Sequence, residues 1–143
     1  MTKFNQVEYR SSLIGKLPYG CDLLEELTHI ATEKSITLAR IEAIGAVQKA
    51  RIAYYEQETQ TYQPLSFDYP LELLKLSGNI SLKDGIPFVH AHITLSDASG
   101  KSLGGHLASG TIVFSCEFII DIFDGPELNR GFDPRTGLQL WFS

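Results

Sequence analysis

From Thr37 to Phe142 the chain repeats one pattern: short apolar runs of alternating character, separated by turn-forming residues. Thr37–Val47, Ala50–Glu56, Tyr69–Ile80, Ile86–Leu95, Ser102–Leu107, Thr111–Phe123 and Leu138–Phe142 all read as β-strands. Lys83-Asp84-Gly85, Asp97-Ala98-Ser99-Gly100 and Asp124-Gly125-Pro126 punctuate them. Another strand near Val7–Leu17 ends at Pro18-Tyr19-Gly20. Only Asp22–Lys34 has helical spacing, with Leu23, Leu24, Leu27, Ile30 and Ala31 on one face. Asp22 is placed to cap it, with Glu25 as a capping-box partner. One early helix followed by many strands predicts an α+β fold, the helix packed on an antiparallel or mixed β-sheet.

The 143 residues suit a single domain, and no repeat, low-complexity tract or linker divides them. The segment Ile112, Phe114, Cys116, Phe118, Ile120 alternates and predicts a core face. In Leu71–Leu76, Leu71 and Leu73 are expected on one face and Leu74 and Leu76 on the other. Either the sheet curls to cover both faces, or one of them meets another subunit.

The net charge of -5 counts against a domain that grips nucleic acid through phosphates. Lys49 and Arg51 share a strand face but are too few for tight binding. Cys21 and Cys116 lack CxxC spacing and read as two reduced thiols of a cytoplasmic protein. The N-terminal residues contain no apolar signal-peptide core, and no run is long enough to span a membrane.

The chemistry concentrates in histidines. His90 and His92 are two apart on one strand, so both imidazoles project from the same face. Val89, Ala91, Ile93 and Leu95 project the other way, as core. His106 follows on the next strand, in Leu103-Gly104-Gly105-His106-Leu107. A two-residue turn at Ala98-Ser99 would pair Asp97 with Gly100 and turn His106 away. A three-residue turn, Ala98 to Gly100, would pair Asp97 with Lys101 and set His106 across from His92. A bulge at Gly104-Gly105 would also bring it round. Three histidines on one face suit a catalytic-type zinc site with a fourth position left for water, or another divalent metal such as nickel, copper, iron or manganese. The alternative is a set of hydrogen-bonded histidines on a half-buried face. Glu42 and Glu117 are candidates to orient a metal-bound imidazole or act as a base, or else solvated carboxylates. His29, opposite the apolar stripe of the helix, reads as a surface residue. Asn129–Gly137 reads as a structural loop, with anion binding by Arg130 as its functional alternative.

Several stretches together carry a family resemblance. They are Gly20-Cys21-Asp22-Leu23-Leu24-Glu25, Ala39–Ala46, Leu76-Ser77-Gly78-Asn79-Ile80, Asp84–His92, Gly104-Gly105-His106-Leu107 with Gly110, and Thr136-Gly137-Leu138. From about Leu13 to Phe142 the chain resembles the PPC (plants and prokaryotes conserved) family, in its stand-alone prokaryotic form. The resemblance implies a strongly bent sheet, assembly as a homotrimer, and a metal site at the residues corresponding to His90, His92 and His106. It also implies protein contacts through a segment like Leu71-Glu72-Leu73-Leu74. Plant members join the domain to AT-hooks that bind DNA, whereas this chain holds no Arg-Gly-Arg-Pro core. The expectation is a trimeric zinc-binding domain. A hydrolytic or lyase activity, a small-molecule sensor and a DNA-associated regulator or scaffold are its functional readings.

Overall fold

The computed structural model describes residues 1–142. In chain order the elements are β1 (Glu8–Lys16), α1 (Leu23–Glu33), β2 (Ala39–Glu56), β3 (Thr61–Phe67), β4 (Leu71–Lys83), β5 (Ile86–Ser96), β6 (Ser102–Leu107), β7 (Ile112–Asp124), β8 (Asn129–Asp133) and β9 (Leu138–Trp141). The α+β reading holds, with one helix on one mixed sheet. Among the described residues, no helix is long and apolar enough to cross a membrane.

The helix forms where its spacing predicts. The Asp22 carboxylate accepts from the backbone N–H of Leu24 at 3.0 Å and of Glu25 at 3.1 Å. A cap of this kind stabilises a helix by about 1 kcal/mol. Its other oxygen accepts from the Gly110 N–H and so ties the helix start to the β6–β7 turn. Leu23, Leu27 and Ala31 are fully buried against the sheet, while His29 is exposed.

Two expected strands, Thr37–Val47 and Ala50–Glu56, are one strand of 18 residues, β2. The polar pair Gln48-Lys49 reads as a break, but strand pairing runs on through it to β3 and β6. The first half of β2 lies between β4 and β7, and its second half pairs β3 and β6. Since β4 pairs β5 and β5 pairs β6, the circuit β2–β4–β5–β6 closes on itself. Val89, Ala91, Ile93 and Leu95 of β5 point into this ring with Ile41 and Ile52 of β2, Leu76 and Ile80 of β4, and Leu107 of β6.

Bulges correct two of the expected faces. Leu73 pairs with Leu95 while Lys75 pairs with Thr94, so Leu74 is an extra residue in β4. An extra residue reverses the in/out alternation beyond it. Leu71, Leu73 and Leu76 therefore all face the core, and only Leu74 points outward, 47% exposed. In β7, Ala46 pairs with Ser115 but Val47 pairs with Val113, which makes Phe114 the extra residue. Val113 is buried in its place and Phe114 is 58% exposed, contrary to the even alternation expected from Ile112 to Ile120.

Two strands escape sequence reading. β3 is an edge strand paired only with β2, almost wholly exposed, and it tolerates Pro64 because edge positions need fewer ladder bonds. β8 lies within the segment read as a loop. It runs parallel to β4 at Leu82–Lys83 and antiparallel to β9. The turn between β8 and β9 does form as expected, with the Asp133 carboxylate accepting from Thr136 Oγ1 at 3.0 Å and the Arg135 N–H at 3.2 Å.

Candidate metal centre

Directly paired residues share a sheet face, so the register decides what meets the histidines. The β5–β6 loop has three residues: the Asp97 N–H donates to the Lys101 carbonyl at 3.0 Å. Gly100 has φ +83°, the left-handed conformation that ends such a loop and that glycine adopts without strain. The Asp97 carboxylate accepts from the N–H groups of Ser99, at 2.8 Å, and Lys101, at 3.0 Å, which pins the loop. Register then runs unbroken from Ser96–Ser102 to His92–His106. Gly104 and Gly105 form no bulge. A Cβ on Gly104 would lie 2.4 Å from the Ile93 carbonyl oxygen, so its lack of a side chain serves the close approach of β6 to β5.

His90, His92 and His106 converge on the outer face of the ring. One nitrogen from each lies within 4.8 Å of the others. Ring centroids are separated by 5.2 Å for His90–His92, 5.2 Å for His90–His106 and 5.6 Å for His92–His106. His92 is exposed; the other two are half-buried. Nδ1 of His106 is buried with no hydrogen-bond partner. An orphaned buried acceptor or donor is costly unless something completes it. Burial, then the nearby Arg130 charge and the other two imidazoles, push the His90 pKa down to about 4. Burial, then His92 and Arg130, lower His106 as well. Both therefore stay neutral near pH 7, the form that ligates. These residues could hold a metal ion.

Glu42 and Glu117 do not join them. Glu42 lies in the same cross-strand row, separated from His92 by Ser77 on β4, and its carboxylate meets Lys75 Nζ at 3.8 Å. Two strand spacings are about 10 Å. Glu117 is on β7, a strand farther away, and exposed.

The residues that do surround the site come from segments the strand pattern passes over. The Tyr62 ring of β3 lies 4.8 Å from the His106 ring, and Tyr55 packs edge-on to Tyr62 at 4.9 Å. On the opposite side Arg130 of β8 donates from Nε to Ser81 Oγ and from Nη2 to Asn79 Oδ1, both at 2.8 Å. Asn79 is the cross-strand partner of His90. The guanidinium lies over Phe88 at 5.3 Å and Trp141 at 5.5 Å. The β8–β9 hairpin bridges these two walls. Its base pairs with β4, and its turn accepts from Tyr55 Oη at the Thr136 carbonyl, 2.5 Å, and from Gln60 Nε2 at the Arg135 carbonyl, 3.0 Å. The sequence signal for Tyr62 was a Thr-Tyr pair of high strand propensity, masked by the nearby proline. Arg130 was legible as a possible anion binder in a polar loop, but nothing in the sequence placed it beside the histidines.

The profile of the Plants and Prokaryotes Conserved (PCC) domain matches residues 5–124. The chain belongs to this family. A crystal structure of a metal-containing protein from Archaeoglobus fulgidus superposes on this PCC domain with a TM-score of 0.94 and 42% identity, covering 99% of this chain and 100% of that one. A plant- and prokaryote-conserved protein from Pyrococcus horikoshii gives 0.92 and 31%, covering 99% and 98%. A candidate DNA-binding protein from Ralstonia eutropha gives 0.82 and 27%, covering 91% and 90%. Among curated proteins, the bifunctional protein GlmU of a Synechococcus strain is 32% identical over 121 residues, 82% of this chain. The chain spans 18% of that relative's length.

Elsewhere, the cations considered for DNA contact are partly engaged: Arg51 forms an ion pair with Asp68 at 2.6 Å. Both cysteines are free thiols, and burial pushes the Cys116 thiol up to about 11, which makes it a poor nucleophile.

Proposed function

We propose that this PCC domain binds one divalent metal ion, zinc foremost, through His90, His92 and His106. The observation that carries this is the convergence of three imidazole nitrogens within 4.8 Å, one of them on a ring whose Nδ1 has no protein partner. The Archaeoglobus relative, described as metal-containing and 42% identical, supports it. Three neutral imidazoles are the ligand set of an open zinc site. A bound zinc ion would supply a Lewis acid and acidify water in its open position, the chemistry of hydrolases and lyases acting on small molecules. Metal analysis of protein purified without a histidine tag tests the reading: about one equivalent per chain is expected, and metal-free protein that takes up no zinc, cobalt, nickel or manganese ends it.

We also propose that the protein is a cytoplasmic homotrimer. Ile14, Ile44, Leu74 and Ile119 are 81%, 55%, 47% and 42% exposed around one groove on the outer face of β1, β7, β2 and β4. A contiguous apolar patch rimmed by Lys16, Glu42, Lys75 and Glu117 suits contact with further copies of the chain.

A DNA-associated role is the second reading, favoured by the description of the Ralstonia relative. The net charge of -5 argues against a direct grip on duplex DNA, so this role would need a DNA-binding partner or further domain. A gel shift with A/T-rich duplex at two salt concentrations separates the cases.

A further inference from the structure

We propose that Arg130 and the three-histidine site together form a receptor for a small oxyanion, a carboxylate or phosphate group held between the guanidinium and the metal. This rests on the metal-binding reading and names what the loaded site would accept.

Arg130 is half-buried, yet none of the ion pairs among the described residues involves it. Its partners are neutral: Ser81 Oγ, Asn79 Oδ1 and the Gln139 carbonyl. Those bonds use three of the five N–H donors of a guanidinium, leaving one on each terminal nitrogen. The guanidinium is planar and keeps a donor on each terminal nitrogen, a group suited to binding an oxyanion. Phe88 and Trp141 lie against the guanidinium, and Ser81 and Asn79 hold its edge. It is therefore positioned by the fold and is not a swinging surface chain.

Its place relative to the histidines follows from the register. Asn79, which it bonds, is paired directly with His90, and Phe88 lies two residues before His90 on the same face. Its charge is felt at both His90 and His106. A shallow hollow of about 310 Å³, lined by Ser77, Gly78, Asn79, His90, Ala91 and His92, opens beside this edge. That volume suits a small molecule. The cluster of the three imidazoles and Arg130 contains no carboxylate, since Glu42 lies two strands away and meets Lys75. A divalent ion added there would leave a strong positive charge that only an external anion can balance.

The test uses cobalt(II) as the metal, because its visible spectrum reports ligands entering its coordination shell. Cobalt-loaded wild type, Arg130→Gln and Arg130→Lys are titrated with acetate and, separately, with inorganic phosphate. Loss of a charged hydrogen-bond partner should raise the half-saturating anion concentration about tenfold or more in Arg130→Gln, with cobalt affinity changed less than about threefold. Arg130→Lys, which keeps the charge without the planar guanidinium, should fall between, and it carries the comparison if Arg130→Gln does not fold. The tighter of the two anions names the ligand class. A wild type whose spectrum responds to neither anion overturns the proposal, as does an equal midpoint in all three proteins. A wild type that binds no cobalt fails at the earlier step and removes the metal-binding reading along with this one.

Discussion

His92 and His106 stand directly opposite one another on β5 and β6, and they do so because the loop between the strands contains three residues, Ala98 to Gly100. One residue fewer would have paired His106 with Ala91 and turned it toward the core. The third imidazole of the site thus depends on a turn six residues along the chain from either histidine, held by Asp97 and Gly100.

The first prediction concerns the ligands. Replacing His90, His92 or His106 singly with Ala leaves two imidazoles, and zinc affinity should fall on the order of 100-fold or more, beyond the effect of losing an outer hydrogen bond. His92 is exposed and the other two half-buried, so folding should survive. Metal titration by calorimetry checks all three. Unchanged affinity in His106→Ala would show that the site as described does not exist.

Acid should destabilise the metal-free protein in a defined window. His90 has a folded pKa of about 4 against an ordinary 6.5. The unfolded chain therefore takes the proton first, and the protein is most stable above pH 6.5 and loses stability as pH falls through 4. Asp97, Asp121 and Asp133 are held below their ordinary 3.8, so their losses come at lower pH. Thermal melts between pH 7.5 and 4.5 should show a falling midpoint, with a shallower slope in His90→Asn. Added zinc should steepen the fall, since protons compete for its ligands. A flat profile for both proteins would contradict the burial of His90.

Gly100 tests the loop itself. Its φ of +83° costs a β-branched residue about 1–2 kcal/mol. Gly100→Val should lose roughly that much stability in urea unfolding, whereas Gly100→Asn, which tolerates the left-handed region, should lose less. A valine variant as stable as wild type would mean that the loop has another shape and the register another origin.

The apolar outer face offers a test of assembly. Leu74→Lys and Ile44→Glu place charges where two exposed aliphatic chains now lie, without touching the core. Light scattering should give a trimer for the wild type and a monomer for the double variant, with the same circular dichroism. Equal masses for the two would place the assembly surface elsewhere.

What could be read along the chain was local. The helix, its Asp22 cap and its buried stripe follow from spacing within a dozen residues, and they formed as spaced. His90 and His92 share a face because a strand alternates with period two, whatever it pairs with. The family was legible too, through short motifs in a fixed order. Other features depended on contacts between distant segments. A bulge at Leu74 or Phe114 shows only against its neighbours, yet each reverses the faces beyond it, sending Leu76 and Val113 inward. The continuity of β2 through Gln48-Lys49 arises from partners on both edges. Tyr62 reaches His106, and Arg130 reaches Asn79 beside His90, from strands too short or too polar to carry a hydrophobic period, brought there by pairing with β2 and β4. Alternation tells a side chain which way to point relative to its own strand. Only the closed ring of strands decides what stands across from it.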